Sequence, residues 1–114
     1  MNLPHGRDAG YLRQMEQAAQ KITRWLQDVD AQVFARDAML QDSVIWQLEV
    51  LGDAAGQVSE ALRTAFSAID WDAWFTRRQH LISHYDAIDL DEVWHIAHSA
   101  VPLLQQKLTD LVHG

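Results

Sequence analysis

The sequence predicts an all-α fold, an antiparallel bundle of four principal helices, and three observations carry that prediction. Apolar residues recur at steps of three and four along most of the chain, no segment alternates with period two, and Asp residues stand where the apolar stripes begin. The 114 residues, 48% of them apolar, suffice for one core but not for a core plus a separate cofactor domain, so residues 1–114 are read as a single domain.

The first helix is expected over about residues 8–28, because Tyr11, Met15, Ala18, Ala19, Ile22, Trp25, Leu26 and Val29 form one stripe and Asp8 is placed to cap its start. A second pattern starts near Gln32 to Phe34 and, past Asp37, runs through Leu40, Val44, Ile45, Leu48, Leu51, Ala55, Val58 and Leu62, which predicts one long helix bent near its start. Gly52 and Gly56 put two side-chain-free positions on one of its faces, a seam for close packing or dimerisation, at a propensity cost of roughly 1 kcal/mol each. The third helix is read from Asp70 through Trp71-Asp72-Ala73-Trp74-Phe75 to about Tyr85, closing in the turn Asp86-Ala87-Ile88-Asp89. The fourth spans about 90–112. Asp89 with Glu92 is an Asp-headed relative of the capping box, and Val93, Ala97, Ala100, Val101, Leu104, Leu108 and Leu111 form the stripe. Pro102, inside it, removes one backbone donor and predicts a kinked C-terminal helix.

Composition narrows the chemistry. The absence of Cys excludes disulfide frameworks, thiolate metal sites, iron–sulfur clusters and a cysteine nucleophile. Nine Lys and Arg against 16 Asp and Glu give a net charge of −7, so a nucleic-acid role must rest on a local cationic site rather than a basic surface. The N-terminus shows no signal pattern and no stretch reaches the roughly 18 apolar residues of a membrane span, which predicts a soluble cytoplasmic protein with no membrane partner.

A glycine-rich phosphate loop, a His-Glu-x-x-His pair and a Gly-x-Ser-x-Gly elbow are all missing. What stands out is one polar helix, Arg77-Arg78-Gln79-His80-Leu81-Ile82-Ser83-His84-Tyr85-Asp86. At about 100° per residue, Arg78 and Tyr85 return to nearly the same face, while Arg77, His80 and His84 share a neighbouring one. One reading is a phosphate-handling site: Arg for a phosphate oxygen, His for a proton, Tyr for a hydroxyl or for stacking. The other is a solvated helix whose Arg residues pair with Asp70, Asp72 and Asp86.

Around this helix the chain resembles the HepT-type toxins of the HEPN superfamily, from Asp8 to about Leu108. The pieces that carry the resemblance are Phe34-Ala35-Arg36-Asp37, Gln41-Asp42-Ser43-Val44, Leu48-Glu49-Val50-Leu51-Gly52-Asp53-Ala54-Ala55, Ile69-Asp70-Trp71, and Asp89-Leu90 with Val93-Trp94, in that order and spacing. The HepT-like motif reads Arg-Asn-x-x-x-His-x-Tyr. Arg78 stands at its Arg, Gln79 at its Asn and Tyr85 at its Tyr, but Ser83 occupies the His position and His84 is displaced by one. The looser superfamily spacing is met, since five residues separate Arg78 from His84. On a continuous helix a one-residue shift turns a side chain by about 100°, so either the helix end is irregular enough for His84 to serve or the site is altered. Ser83 does not ionise near neutrality and cannot replace an imidazole as acid or base.

The resemblance implies a metal-independent endoribonuclease, with no cofactor, in which an RNA 2′-hydroxyl attacks the adjacent phosphate. Arg78 and His84 would be its catalytic residues, with Gln79, Ser83, Arg77 and His80 in support. It further implies a homodimer whose two motifs face one cleft. It implies membership of a type VII-like HEPN/MNT toxin–antitoxin pair, neutralised by a cognate minimal nucleotidyltransferase that transfers AMP to Tyr85. A catalytically degenerate subunit, gripping a nucleotide or the nucleotidyltransferase, is the alternative, favoured by Ser83 and the acidic composition; growth arrest on expression without the neighbouring gene separates the two.

Other features are read structurally. His80 with His84, and His95 with His98, are spaced to chelate a metal, but bundle metal sites usually include carboxylates and no metal is expected. Glu49 and Asp53 are read as a solvated or interface pair rather than catalytic carboxylates. Trp46 lies where HepT-like sequences often carry a basic residue, making one RNA or partner contact apolar. Trp25, Trp71, Trp74 and Trp94 are assigned to the core or a dimer seam.

Overall fold

The structure, a computed structural model, describes residues 6–113, the side chain of Tyr85 excepted. The N-terminal residues 1–5, part of the stretch read as lacking a signal pattern, lie outside the described residues, as does Gly114. Every regular element among the described residues is helical: α1 (Arg7–Trp25), α2 (Ala31–Arg36), α3 (Ala38–Gln57), α4 (Glu60–Ala65), α5 (Trp71–Ser83), α6 (Leu90–His95) and α7 (Val101–His113). A 3₁₀ turn, Tyr85–Ala87, follows α5, and a π turn, Ile96–Ala100, joins α6 to α7. Helix α1 packs against α3 and α7, and α3 carries α5 on its other side, giving the all-α bundle that the stripes predict. Met15, Ile22, Phe34, Val44, Leu51, Val93, Val101 and Leu108 fill the core. Trp71 and Trp74 are buried, Trp25 and Trp94 pack against the core edge, and Trp46 is open to solvent.

The single long second helix of the sequence reading is three helices. Asp37 ends α2 and caps α3, its carboxylate accepting from the Leu40 N–H at 3.0 Å. Val58 turns to extended backbone (φ −65°, ψ 151°), and Ser59 then caps α4 by accepting from the Leu62 N–H at 3.1 Å. The apolar stripe runs on across both breaks because Val58 and Leu62 still face the core; side-chain caps, not loss of hydrophobic period, end these helices. Asp8 is not the N-cap of α1. It lies in the first turn, and its carboxylate accepts from the Ser59 N–H at 2.8 Å and the Ser59 hydroxyl at 2.6 Å, tying α1 to the α3–α4 corner.

Asp70 caps α5 through the Ala73 N–H, and Asp89 caps α6 through the N–H groups of Asp91 and Glu92, as their sequence positions predict. The π turn lies just ahead of Pro102, where the Val101 N–H donates to the Ile96 carbonyl, so the helix absorbs the proline as one widened turn. The Gly52–Gly56 face meets α5 of the same chain. A Cβ at Gly52 would stand 2.5 Å from the Arg78 Cβ and 2.6 Å from the Trp74 carbonyl oxygen, and one at Gly56 would strike the Phe75 ring.

Candidate active site at the end of helix α5

Helix α5 is fixed at its N-terminus by Asp70 and along its length by the glycine seam, which lets its backbone approach α3. Arg63, from α4, ties the same corner: its guanidinium donates to the carbonyls of Gly56 at 3.0 Å and Ala55 at 3.3 Å and pairs with Asp72 at 2.5 Å. The two arginines of α5 then diverge.

Arg78 lies along Gly52 and opens into a hollow of about 290 Å³ lined by Gln14, Trp46, Glu49, Val50 and Asp53. One guanidinium nitrogen is 3.8 Å from Asp53 Oδ1, and another donates to Gln79 Oε1 at 3.2 Å. Arg77 lies over the Trp74 ring, its Cζ 4.5 Å from the centroid, a cation–π contact that holds it against the helix. It borders a second, small hollow with His80, His84, Asp89 and Glu92. The His80 and His84 rings are 4.5 Å apart, and His80 Nε2 is 4.0 Å from Glu92 Oε2. The pairing of the α5 arginines with Asp70, Asp72 and Asp86 is not found among the described residues: Asp70 is a cap, and Asp72 is held by Arg63.

The displaced histidine is where local structure matters most. Helix α5 stops at Ser83, two residues before the predicted end, and His84 leaves helical geometry (φ −122°, ψ 30°) as the chain enters the 3₁₀ turn. Its N–H still donates to the His80 carbonyl at 3.1 Å, so its Cα keeps helical register and its side chain joins Arg77 and His80 on their face. His84 is exposed, and its Nδ1 is 3.1 Å from the His80 carbonyl oxygen. A carbonyl only accepts, so this contact assigns the proton of the neutral ring to Nδ1 and leaves Nε2 as a free acceptor. Ser83 is exposed on the last turn. Within one chain Arg78 and His84 open into separate hollows, whereas Arg77, His80 and His84 share one. The Tyr85 side chain lies outside the described part of the structure.

With this geometry in place, the family described as "Ribonuclease HepT-like" matches residues 15–111. The chain belongs to the HepT-like ribonuclease family. Similar curated proteins of this kind include a "Gamma-glutamylcyclotransferase and putative RNase" of Methanocaldococcus jannaschii, 24% identical over 90% of the chain and 46% of the relative. A "Putative RNase" of the same organism is 26% identical over 86% of the chain and 90% of its own length. The "Probable ribonuclease HepT" of Thermococcus cleftensis is 25% identical over 89% and 92%. The chain thus spans less than half of the first of these relatives and nearly all of the other two. No solved structure matches it. As a HepT-like chain it has the helical scaffold on which the Arg78 to Tyr85 motif segment sits at the end of α5.

The sequence reading missed the company that Arg78 keeps. Asp53 reaches it and Trp46 walls its hollow, because residues 46, 49, 50 and 53 form one face of α3 beside the glycine seam. The signal was the adjacency of Gly52 and Asp53: the residue that lets α5 approach precedes the one that meets its arginine. His98, read only as half of a spaced pair, stacks on Trp94 with centroids 4.7 Å apart.

Proposed function

We propose that this HepT-like protein is the toxin of a HEPN/MNT pair, a metal-independent endoribonuclease that uses Arg78 and His84. The observation that carries this reading is the exposed His84 at the C-cap of α5, with Nδ1 held by the His80 carbonyl, Nε2 without a protein partner among the described residues, and Arg77 beside it in the same hollow. That is the arrangement a general base needs, an oriented imidazole with an unprotonated nitrogen facing solvent. In the proposed reaction Nε2 takes the proton of an RNA 2′-hydroxyl, whose oxygen forms a bond to the adjacent phosphorus. The bond from phosphorus to the 5′-oxygen breaks as that oxygen takes the proton back from the His84 imidazolium. The products are a 2′,3′-cyclic phosphate and a 5′-hydroxyl, and Arg78 stabilises the negative charge that builds on the phosphoryl oxygens.

Two copies facing each other across α5 complete the site in this reading. Its support is that Arg78 and His84 open into separate hollows in one chain, and that a chain of net charge −7 gains local positive potential by apposing two Arg77-Arg78 pairs. A nucleotidyltransferase antitoxin then silences the protein by AMP transfer to Tyr85, adding bulk and negative charge where the RNA phosphate must lie. A second reading, a non-catalytic nucleotide-binding subunit, is favoured by Ser83 at the motif position and by the Asp53 carboxylate beside Arg78.

The test pairs products with physiology. Cleavage fragments ending in 2′,3′-cyclic phosphates, loss of cutting at 2′-deoxy positions, and growth arrest on expression without the neighbouring gene are expected. Intact RNA and normal growth, with Tyr85 unmodified by intact mass, select the binding subunit.

A further inference from the structure

The hollow beside Arg78 has a composition that the phosphate chemistry does not use. Trp46 is 62% exposed, whereas Trp71 and Trp74 are buried and Trp25 and Trp94 pack against the core. Glu49, one turn further along α3, is half-buried and enters no ion pair or side-chain hydrogen bond among the described residues. Asp53 stands one more turn on, next to Arg78. An indole face, an unpaired carboxylate and an arginine therefore border one open space of about 290 Å³.

We propose that this hollow is a base-recognition subsite, and that the base it selects is guanine at the nucleotide whose phosphate Arg78 contacts. The inference rests on the ribonuclease reading for that phosphate. A second phosphate does not belong between Glu49 and Asp53, because like charges repel, so the part of the nucleotide that enters is the neutral base. Trp46 supplies a stacking surface, which every base accepts. Glu49 supplies the selection. An ionised carboxylate offers only acceptors, two oxygens side by side, and asks for two adjacent donors. On the Watson–Crick edges that proteins read in unpaired RNA, guanine alone presents such a pair, N1–H and the N2 amino group. Adenine, cytosine and uracil each set one donor beside an acceptor, whose lone pair would face the second carboxylate oxygen. Gly52 makes the arrangement geometrically available, since the close approach of α5 brings the Arg78 stem onto the same face of α3.

The test is calorimetric binding of the 3′-monophosphates of guanosine, adenosine, cytidine and uridine to the whole chain, together with sequencing of the ends of RNA cut by it. The guanosine nucleotide is expected to bind about tenfold or more tightly than the other three, and cuts to fall beside G. Glu49→Gln, which replaces one acceptor by a donor, removes the preference. Trp46→Ala weakens all four by about tenfold or more, in line with the loss of one base–aromatic stack, and Trp46→Phe restores most of it. Circular dichroism checks that each variant is folded. Equal affinity or no binding for the four nucleotides, a guanosine preference that survives Glu49→Gln, or indifference to Trp46→Ala overturns the proposal. The two readings fail separately: RNA cut without base bias refutes the guanine subsite alone, and preferential guanosine binding without any cleavage refutes the ribonuclease alone.

Discussion

Replacing Gly52 by Ala tests how α5 is seated. The added Cβ would lie 2.5 Å from the Arg78 Cβ and 2.6 Å from the Trp74 carbonyl oxygen, where ordinary contact begins at 3.4 Å. The two helices must separate locally by the difference, 3.4 − 2.5 = 0.9 Å, and neither obstacle can rotate away, since one is backbone and the other is the first atom of a side chain. Overpacking of this kind costs about 1–3 kcal/mol, with a backbone clash at the upper end. Ala gains about 1 kcal/mol over Gly in helix propensity, which leaves a net loss of about 2 kcal/mol. At the lower end of the roughly 4–8 °C per kcal/mol of slightly smaller domains, about 4 °C, Tm falls by roughly 8 °C. Gly56→Ala is the control. Its Cβ meets only side-chain atoms, those of the half-buried Phe75 ring, which must turn about χ1 to yield, so the loss is smaller than for the backbone clash at Gly52. Thermal unfolding followed by circular dichroism reads both. A Gly52→Ala protein as stable as wild type, or a Gly56→Ala protein that is the worse of the two, would refute the close-approach argument.

Other substitutions probe the joints around the site. Arg63→Ala leaves the carbonyls of Ala55 and Gly56 without their charged donor and should cost about 2 kcal/mol in urea unfolding, most of it from those bonds because Asp72 is largely exposed. Arg63→Lys should recover little, since one ammonium cannot span the fork; full recovery would contradict this. Asp8→Ala should lower stability by about 1 kcal/mol and loosen the α1 to α4 corner, read as faster hydrogen exchange at the Ser59 amide, and unchanged exchange there would rule the tie out. Tyr85→Phe should leave a coexpressed nucleotidyltransferase unable to rescue growth; rescue would show that silencing does not need the hydroxyl.

The fold class was legible because it is written in period: every stripe lies on helical segments, and Asp70 and Asp89 announce their caps within three residues of the groups that they hold. The breaks at Asp37 and Ser59 were not legible, because the hydrophobic stripe passes through them undisturbed. Asp8 looked like a local cap, but its partner is 51 residues away, and no local pattern reports a contact of that range. The same limit applies to the glycine face, whose close approach could be read while the partner, α5 of the same chain, could not. At the site, the shared face of Arg77, His80 and His84 followed from helical spacing. The conformation of His84 did not, since it depends on where α5 ends, and a helix terminus without a glycine or a proline leaves little trace in sequence.

The central claim is that His84, displaced from the family position, acts with Arg78 in metal-independent RNA cleavage. It is tested most directly by incubating a mixed RNA pool with the purified chain, with a chelator present, beside Arg78→Ala and His84→Ala. The account predicts cleavage by the wild type and a loss of about 10²–10⁴-fold in rate on removing either side chain. Cleavage that persists undiminished in His84→Ala, or that stops when metal is withdrawn, would contradict it.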